Sequence, residues 1–462
     1  MTALCFDREL IERYDRSGPR YTSYPTAVQF HTGFGEAAYR EVALARRAIA
    51  GADPLSLYVH LPFCTSPCFY CACNRIITRS EDRGAAYLLR LYREIEMQAA
   101  LFGAGRTVEQ LHFGGGTPTF FSLAQLERLM VELRTHFELT DSATREYSIE
   151  IDPRTVTPAS VASLAQLGLN RMSLGIQDFD EAVQRAVNRV QSASDTLLLV
   201  EAAREAGVES ISFDLIYGLP RQTLGGFERT LQTVLKARPD RIAAYAYAHM
   251  PHVFKAQRRL SAEQLPSPAA RLDLLGLTIE MLTSAGYEYI GMDHFALPND
   301  DLARAKRERT LHRNFQGYST HALYDLVALG VSAIGKVGHS YAQNYKQLPE
   351  YYAAIDAGRL PIHRGIRLTQ DDRIRAAVIQ ELMCHERCEF APIATAFGIE
   401  FGRYFAQELE QLRTFESDGL VSLTPQMIEI TSRGRMLTRN VAMVFDAYLQ
   451  PRAAESLYSR VI

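Results

Sequence analysis

Residues 55–75 read LSLYVHLPFCTSPCFYCACNR. The first seven alternate: Leu55, Leu57, Val59 and Leu61 share one face of an extended chain, and Ser56, Tyr58 and His60 share the other. Pro62 closes the strand, and Cys64, Cys68, Cys71 and Cys73 follow on one short loop. Three thiolates on such a loop can hold three corners of an iron–sulfur cube and leave the fourth iron open to a further ligand. Zinc is the competing occupant, in a binding module on an α/β scaffold. A closed structural zinc site takes four ligands, commonly as two pairs. The other candidate pair, Cys384 and Cys388, lies far along the chain in a segment that reads as helix.

Five more strand-like segments follow: QLHFGG (110–115), YSIEID (147–152), RMSLGIQ (171–177), ISFDLIY (211–217) and IAAYAYAH (242–249). Helical patterns separate them. Ser122 with Gln125 makes a capping box, Thr157 followed by Pro158 makes an N-cap with proline in the first turn, and Gly168 and Gly207 stand where helices should stop. Strands alternating with helices imply βα units and a parallel sheet. Such strands are normally apolar on both faces. Here one register is polar: Tyr58 and His60, Ser148 and Glu150, Ser173 and Gln177, Ser212 and Asp214. That pattern predicts a barrel whose interior is a reaction chamber. The alternative is an open sheet with one solvated face.

LVALGVSAIG (326–335) is apolar and punctuated by glycine, and could close or extend the sheet. From about residue 367 the pattern turns helical, with one short β-like stretch near 419–430. The expected division is an N-terminal arm (1–50), a barrel with its extension (51–365) and a mostly helical C-terminal domain (366–462).

The chain has 462 residues, 47% hydrophobic and 22% charged, as ordinary globular proteins do. A net charge of −3 leaves no electrostatic footprint for nucleic acid. No apolar run reaches the ~20 residues of a membrane span, and the charged start of the chain lacks an apolar signal core. A cytoplasmic location is expected. Clustered cysteines in a large chain of this kind point to metal or catalysis.

The C-x-x-x-C-x-x-C spacing, with Tyr70 before the third cysteine, resembles the radical S-adenosylmethionine (SAM) superfamily. HFGGGTPT (112–119) agrees with it. A closer resemblance runs over essentially the whole chain, carried by Cys73 and by RYTSYPT (20–26), EIDPR (150–154), GIQDFD (175–180), DLIYGLP (214–220), GMDHFA (291–296), HRNFQGY (312–318) and SRVI (459–462). These segments look like the family of oxygen-independent coproporphyrinogen III oxidases. The resemblance implies an α/β fold: a partial (β/α)6 barrel of radical SAM type with an N-terminal arm and a mostly helical C-terminal domain.

It implies a 4Fe–4S cluster on Cys64, Cys68 and Cys71, and two SAM molecules. The first SAM would be held by Tyr58, Gly114, Glu150 and Ile334. The second would involve Phe69 or Tyr70, with Tyr70 favoured, together with Gly115, Thr117, Gln177, Arg189, Asp214 and Ala248. Gly116 belongs to the same glycine run, and catalytic contacts would fall on Tyr58, Glu150 and Gln177. The implied reaction converts two propionates of coproporphyrinogen III to vinyl groups, with flavodoxin or ferredoxin as electron donor. Carboxylates call for arginine forks, and Arg20, Arg154 and Arg313 lie in family-like segments. The expected protein is a monomer without nucleic-acid or membrane partners. The rival within the superfamily is a heme chaperone, which shares the barrel and the cysteine spacing.

Overall fold

The computed structural model describes residues 4–49, 51, 53–103, 105–321, 324–449, 458 and 460. Of the SRVI segment only Arg460 lies within that set. Six parallel strands form the centre: β1 (Leu55–Leu61), β2 (Thr107–Gly115), β3 (Glu146–Ile151), β4 (Arg171–Gln177), β5 (Ser210–Tyr217) and β6 (Arg241–Ala246). They lie side by side in chain order, joined through helices. The expected capping boxes at Ser122 and Thr157 are formed. Gly168 (φ +98°) and Gly207 (φ +81°) take the left-handed conformation just past their helices, which a side chain disfavours.

The sheet continues beyond both flanks of this arc. Next to β6 lie β7 (Glu288–Gly291) and β8 (His294–Ala296), and next to β1 lie β9 (Asp325–Leu329), β10 (Ile334–Val337), β11 (Ser340–Asn344) and β12 (Ile362–Arg367). The order is β7-β8-β6-β5-β4-β3-β2-β1-β9-β10-β11-β12. Residues 326–335 therefore extend the sheet and do not close it. β9 runs parallel to β1, and Gly330 (φ +99°) then helps turn the chain into an antiparallel meander. The architecture is a partial (β/α)6 barrel.

Alternation sets what faces where. Leu57, Val59, Phe113, Ile149, Phe213 and Leu215 are fully buried against the surrounding helices. The opposite register lines up across the arc: Tyr58 pairs with His112 and His112 with Ser148, Glu150 with Ser173, and Gly175 with Asp214. After Gln370 the chain is helical, with a three-stranded antiparallel sheet of Arg387–Glu389, Met427–Ile430 and Val421–Leu423. Cys384 lies in the last turn of the helix Gln370–His385, whereas Cys388 lies on the first of those strands. No helix among the described residues is long and apolar enough to cross a membrane.

One buried acid stiffens the chamber wall from behind. Glu94, on α1 (Glu81–Phe102), accepts from the Gly330 N–H (2.7 Å), Asn344 Nδ2 (2.7 Å) and the Tyr351 hydroxyl (2.6 Å). Burial nevertheless pushes its carboxyl up to about 7. The folded chain thus keeps a proton that the unfolded chain loses near 4.5. Stability should fall as pH rises across that window, by about 3 kcal/mol at most. Glu94→Gln removes the titration and places an N–H₂ against donors, at a cost of about 2 kcal/mol. Thermal midpoints of both proteins at pH 5 and pH 8 check this: the gap between the two pH values should shrink in the variant.

Candidate functional site

The loop after β1 folds over the open end of the arc. Cys64 and Cys68 are buried, Cys71 is half-buried and Cys73 exposed. Arg75 fastens the loop to itself: its guanidinium donates to the carbonyls of Cys68 (3.1 Å), Cys71 (3.1 Å) and Cys73 (3.4 Å). Phe69 N–H donates to the Val187 carbonyl at 3.0 Å. Thr117 Oγ1 donates to Cys64 Sγ at 3.3 Å, and Arg154 and Arg189 each place a nitrogen 3.6 Å from Cys68 Sγ. Asp152 bridges these two arginines at 2.7 and 2.9 Å. Burial pushes the Cys64 thiol up to about 11. The Cys73 thiol, followed by Arg75, pulls the Cys71 thiol down to about 6 against the opposing effect of burial.

Two adjoining cavities open beneath the loop. One, of about 330 Å³, is lined by Cys64, Cys68, Cys71, Tyr70, Gly115, Gly116, Thr117, Glu150, Arg154, Gln177, Arg189 and Asp214. The other, of about 690 Å³, is lined by Tyr58, His60, His112, Ile334, Phe315 and Gln316, and shares Gly115, Glu150 and Cys73 with the first. Gly114 lines neither cavity, and a Cβ there would stand 2.9 Å from Glu150 Oε1. Ala248 lines a third cavity of about 300 Å³ with Arg20 and Arg271; Gln257 ties the Ala248 carbonyl to that of Tyr70. Arg313 lines none of these cavities. It is buried within the hairpin 312–319, with its Nη1 unpartnered among the described residues.

Glu150 is the hub. Its Oε2 accepts from the Gly115 N–H at 3.0 Å, and its Oε1 lies 3.3 Å from His112 Nε2. Burial would raise its pKa, but His112 and the Gly115 amide hold it below the usual carboxylate range. Asp214 behaves oppositely. Burial and the charge of Glu150 push its carboxyl up to about 6, although Ser173 Oγ donates to it at 3.0 Å. His60 Nε2 donates to the Asn74 carbonyl at 3.0 Å, so Nδ1 is left to accept from the Tyr58 hydroxyl at 3.0 Å. Burial keeps that imidazole neutral by lowering its pKa.

Sequence reasoning named His60 in the polar register without giving it a role, and gave none to His112, Asp152 or Arg75. The first two carry the polar register of β1 and β2, a signal that was present in the alternation. The roles of Asp152 and Arg75 depend on loop closure, which no periodicity records. The glycine run also has a second purpose. A Cβ at Gly116 would stand 2.6 Å from the Pro62 carbonyl carbon, and one at Gly115 2.5 Å from the His60 ring. These glycines let β2 pass under the cysteine loop, as well as leaving backbone open to a ligand.

The donor set fits a cluster. Among the described residues no three His, Cys, Asp or Glu side chains converge on a single ion. The loop thiols instead ring one cavity, as a cube requires when each of three irons takes its own sulfur. Cys384 and Cys388 are fully buried and belong to the packed core, away from the loop.

Comparison with known proteins agrees. The Radical SAM superfamily pattern matches residues 58–234, and that of the HemN C-terminal domain matches 368–437. The chain is 52% identical over 457 residues to the oxygen-independent coproporphyrinogen III oxidase of Pseudomonas aeruginosa, covering 99% of each. To the protein of that name from Escherichia coli it is 48% identical, over 99% of this chain and 98% of the other. The solved structure of coproporphyrinogen III oxidase (HemN) from Escherichia coli, a radical SAM enzyme, superposes with a TM-score of 0.92 at 47% identity, over 97% of this chain and all of that one. A cysteine loop above a polar-lined parallel arc, with likeness of this extent, places the chain in the oxygen-independent coproporphyrinogen III oxidase family of the radical SAM superfamily.

Proposed function

We propose that this chain decarboxylates two propionate side chains of coproporphyrinogen III to vinyl groups, giving protoporphyrinogen IX and consuming one SAM at each. The carrying observation is the pair of adjoining cavities, which put the cysteine loop, Glu150 and Asp214 around one connected cleft. When bound, a 4Fe–4S centre on Cys64, Cys68 and Cys71 supplies the electron that cleaves SAM reductively. The protein's share is positioning and exclusion of water.

Tyr58, Gly114, Glu150 and Ile334 are assigned to the first SAM. Tyr70, Gly115, Gly116, Thr117, Gln177, Arg189, Asp214 and Ala248 are assigned to the second. The fixed carboxylate of Glu150 and the Gly115 backbone offer an acceptor and a close approach for an amino-acid head. Gln177 has φ +64°, a conformation that turns it at the end of β4 toward the cavity it lines. Arg20, Arg154 and Arg313 are assigned to substrate carboxylates. Arg154 opens on the cavity but is already bound to Asp152, Arg20 is paired with Asp293, and Arg313 Nη1 has no partner among the described residues. Neutral substitution of Arg313 should raise the KM for coproporphyrinogen and leave SAM binding unchanged. The divisions 1–50, 51–365 and 366–462, a monomeric state, a cytoplasmic location and a flavodoxin or ferredoxin donor complete the reading.

Asp214 gives a pH test. Its carboxyl is neutral below about 6 and charged above it. Affinity for the SAM cation should therefore rise about tenfold between pH 5 and pH 8, as one unit charge is gained nearby. Asp214→Asn should flatten that rise in calorimetric titrations.

The function itself is tested anaerobically, with reconstituted protein, SAM, reductant, a cell extract as electron acceptor source and coproporphyrinogen III, by weighing the tetrapyrrole. Loss of two carboxyl groups, dependent on SAM and Cys64, establishes it. SAM cleavage with an unchanged tetrapyrrole transfers the chain to the heme-chaperone reading or another substrate.

A further inference from the structure

Directly beside the cysteine loop stands a short turn of sequence Lys255-Ala256-Gln257-Arg258-Arg259. Lys255, Arg258 and Arg259 are exposed, and no ion pair forms at any of them among the described residues. Other exposed arginines of this chain are neutralised by an acid, as Arg307 is by Glu288. Three unpaired cations within five residues form a local positive patch in a chain of net charge −3.

The patch is coupled to the loop by contact. Gln257 is fully buried, and its Nε2 donates to the Tyr70 carbonyl at 3.0 Å, between the second and third cysteines of the cluster motif. The Arg259 guanidinium lies 5.2 Å from the centroid of the Phe69 ring, next to Cys68. Leu260, which ends the turn, shares a small core with Val183, Val187 and Leu219, and Phe69 and Tyr70 pack against that same core. Val253, half exposed, adds an apolar spot two residues before Lys255.

We propose that this turn is the docking surface for an acidic redox protein that reduces the cluster. The inference rests on the function proposed above. A partner carrying a reduced flavin or iron–sulfur centre gives up one electron, and the centre held by Cys64, Cys68 and Cys71 gains it. The partner's carboxylates meet Lys255, Arg258 and Arg259, and its prosthetic group comes to rest over Phe69. Charge complementarity of this kind acts mainly on the rate of encounter and is screened by salt.

The test uses the reconstituted full-length enzyme with Lys255→Glu and Arg258→Glu combined, and with Lys255→Ala alone. SAM cleavage is followed with either reduced flavodoxin or dithionite as electron source. With flavodoxin at low salt the double variant should be slower by about tenfold or more, within the range of electrostatic steering. Rising salt should slow the wild type toward the double variant, and Lys255→Ala should fall between them. With dithionite all three should cleave SAM at equal rates. Equal rates with flavodoxin overturn the proposal. A raised KM for coproporphyrinogen under dithionite also overturns it, and assigns the patch to steering the anionic substrate. If wild type with dithionite leaves SAM intact, the failure lies in the underlying function and not in the surface.

Discussion

Cys68→Ser should yield a folded, colourless protein that retains no iron and cleaves no SAM. Cys68 is the loop thiol approached by two arginines. It is buried, Arg154 and Arg189 converge on its sulfur, and Asp152 fixes both arginines. Serine offers a hard oxygen that stays protonated at neutral pH, where iron–sulfur centres need soft thiolate. The same outcome is expected for Cys64→Ser and Cys71→Ser. Cys73→Ser should keep its iron, because three protein thiolates suffice when SAM takes the fourth iron. Iron per chain and the visible absorbance of the anaerobically reconstituted proteins decide it. Iron loss in Cys73→Ser would overturn the ligand assignment.

Gly116→Ala should be nearly as damaging, although it touches no iron ligand. The added methyl would stand 2.6 Å from the Pro62 carbonyl carbon, 2.7 Å from its oxygen and 2.8 Å from the Phe63 oxygen. All three are backbone atoms, so no rotamer change relieves the clash. At the same crossing, Gly116 N–H donates to the Leu61 carbonyl and Thr117 N–H to the Phe63 carbonyl, both at 2.9 Å. Relief therefore means moving the segment that carries Cys64. A stability loss of about 2–3 kcal/mol is expected from overpacking. A displacement near 1 Å at the reacting site would cost about a hundredfold in turnover. Gly225→Ala is the control. Its Cβ meets nothing closer than 3.8 Å, so melting point and turnover should hold. An unchanged rate in Gly116→Ala would show that the loop can shift freely.

The six strands of the arc were legible because their pattern is strict. Period-two alternation with helices between them leaves few other readings, and the polar register announced the chamber. Boundaries were less exact. β2 begins at Thr107 rather than Gln110, and β6 stops at Ala246, after which Tyr247 and His249 leave the sheet and bond to each other. The meander β10–β12 gave little signal. SYAQN and IHRGIR carry polar residues in both registers, since their neighbours and not their own alternation decide what is covered. Cys64, Glu150 and Asp214 could be found from motif and register. The pairing of Asp152 with two arginines and the clasp made by Arg75 could not, because both depend on partners brought near only when the loop folds back.

β1 and β6, the two flanks of the parallel arc, are each already hydrogen-bonded outward, β1 to β9 and β6 to β8. A sheet with bare flanks would invite them to zip together or to capture a stray strand. Here neither flank has a row of amides seeking a partner. The arc is therefore a trough with hemmed rims and not a tube waiting to shut. A broad, flat guest can pass in and out between the rims while every strand keeps its neighbour, so traffic through the site requires no melting of the sheet.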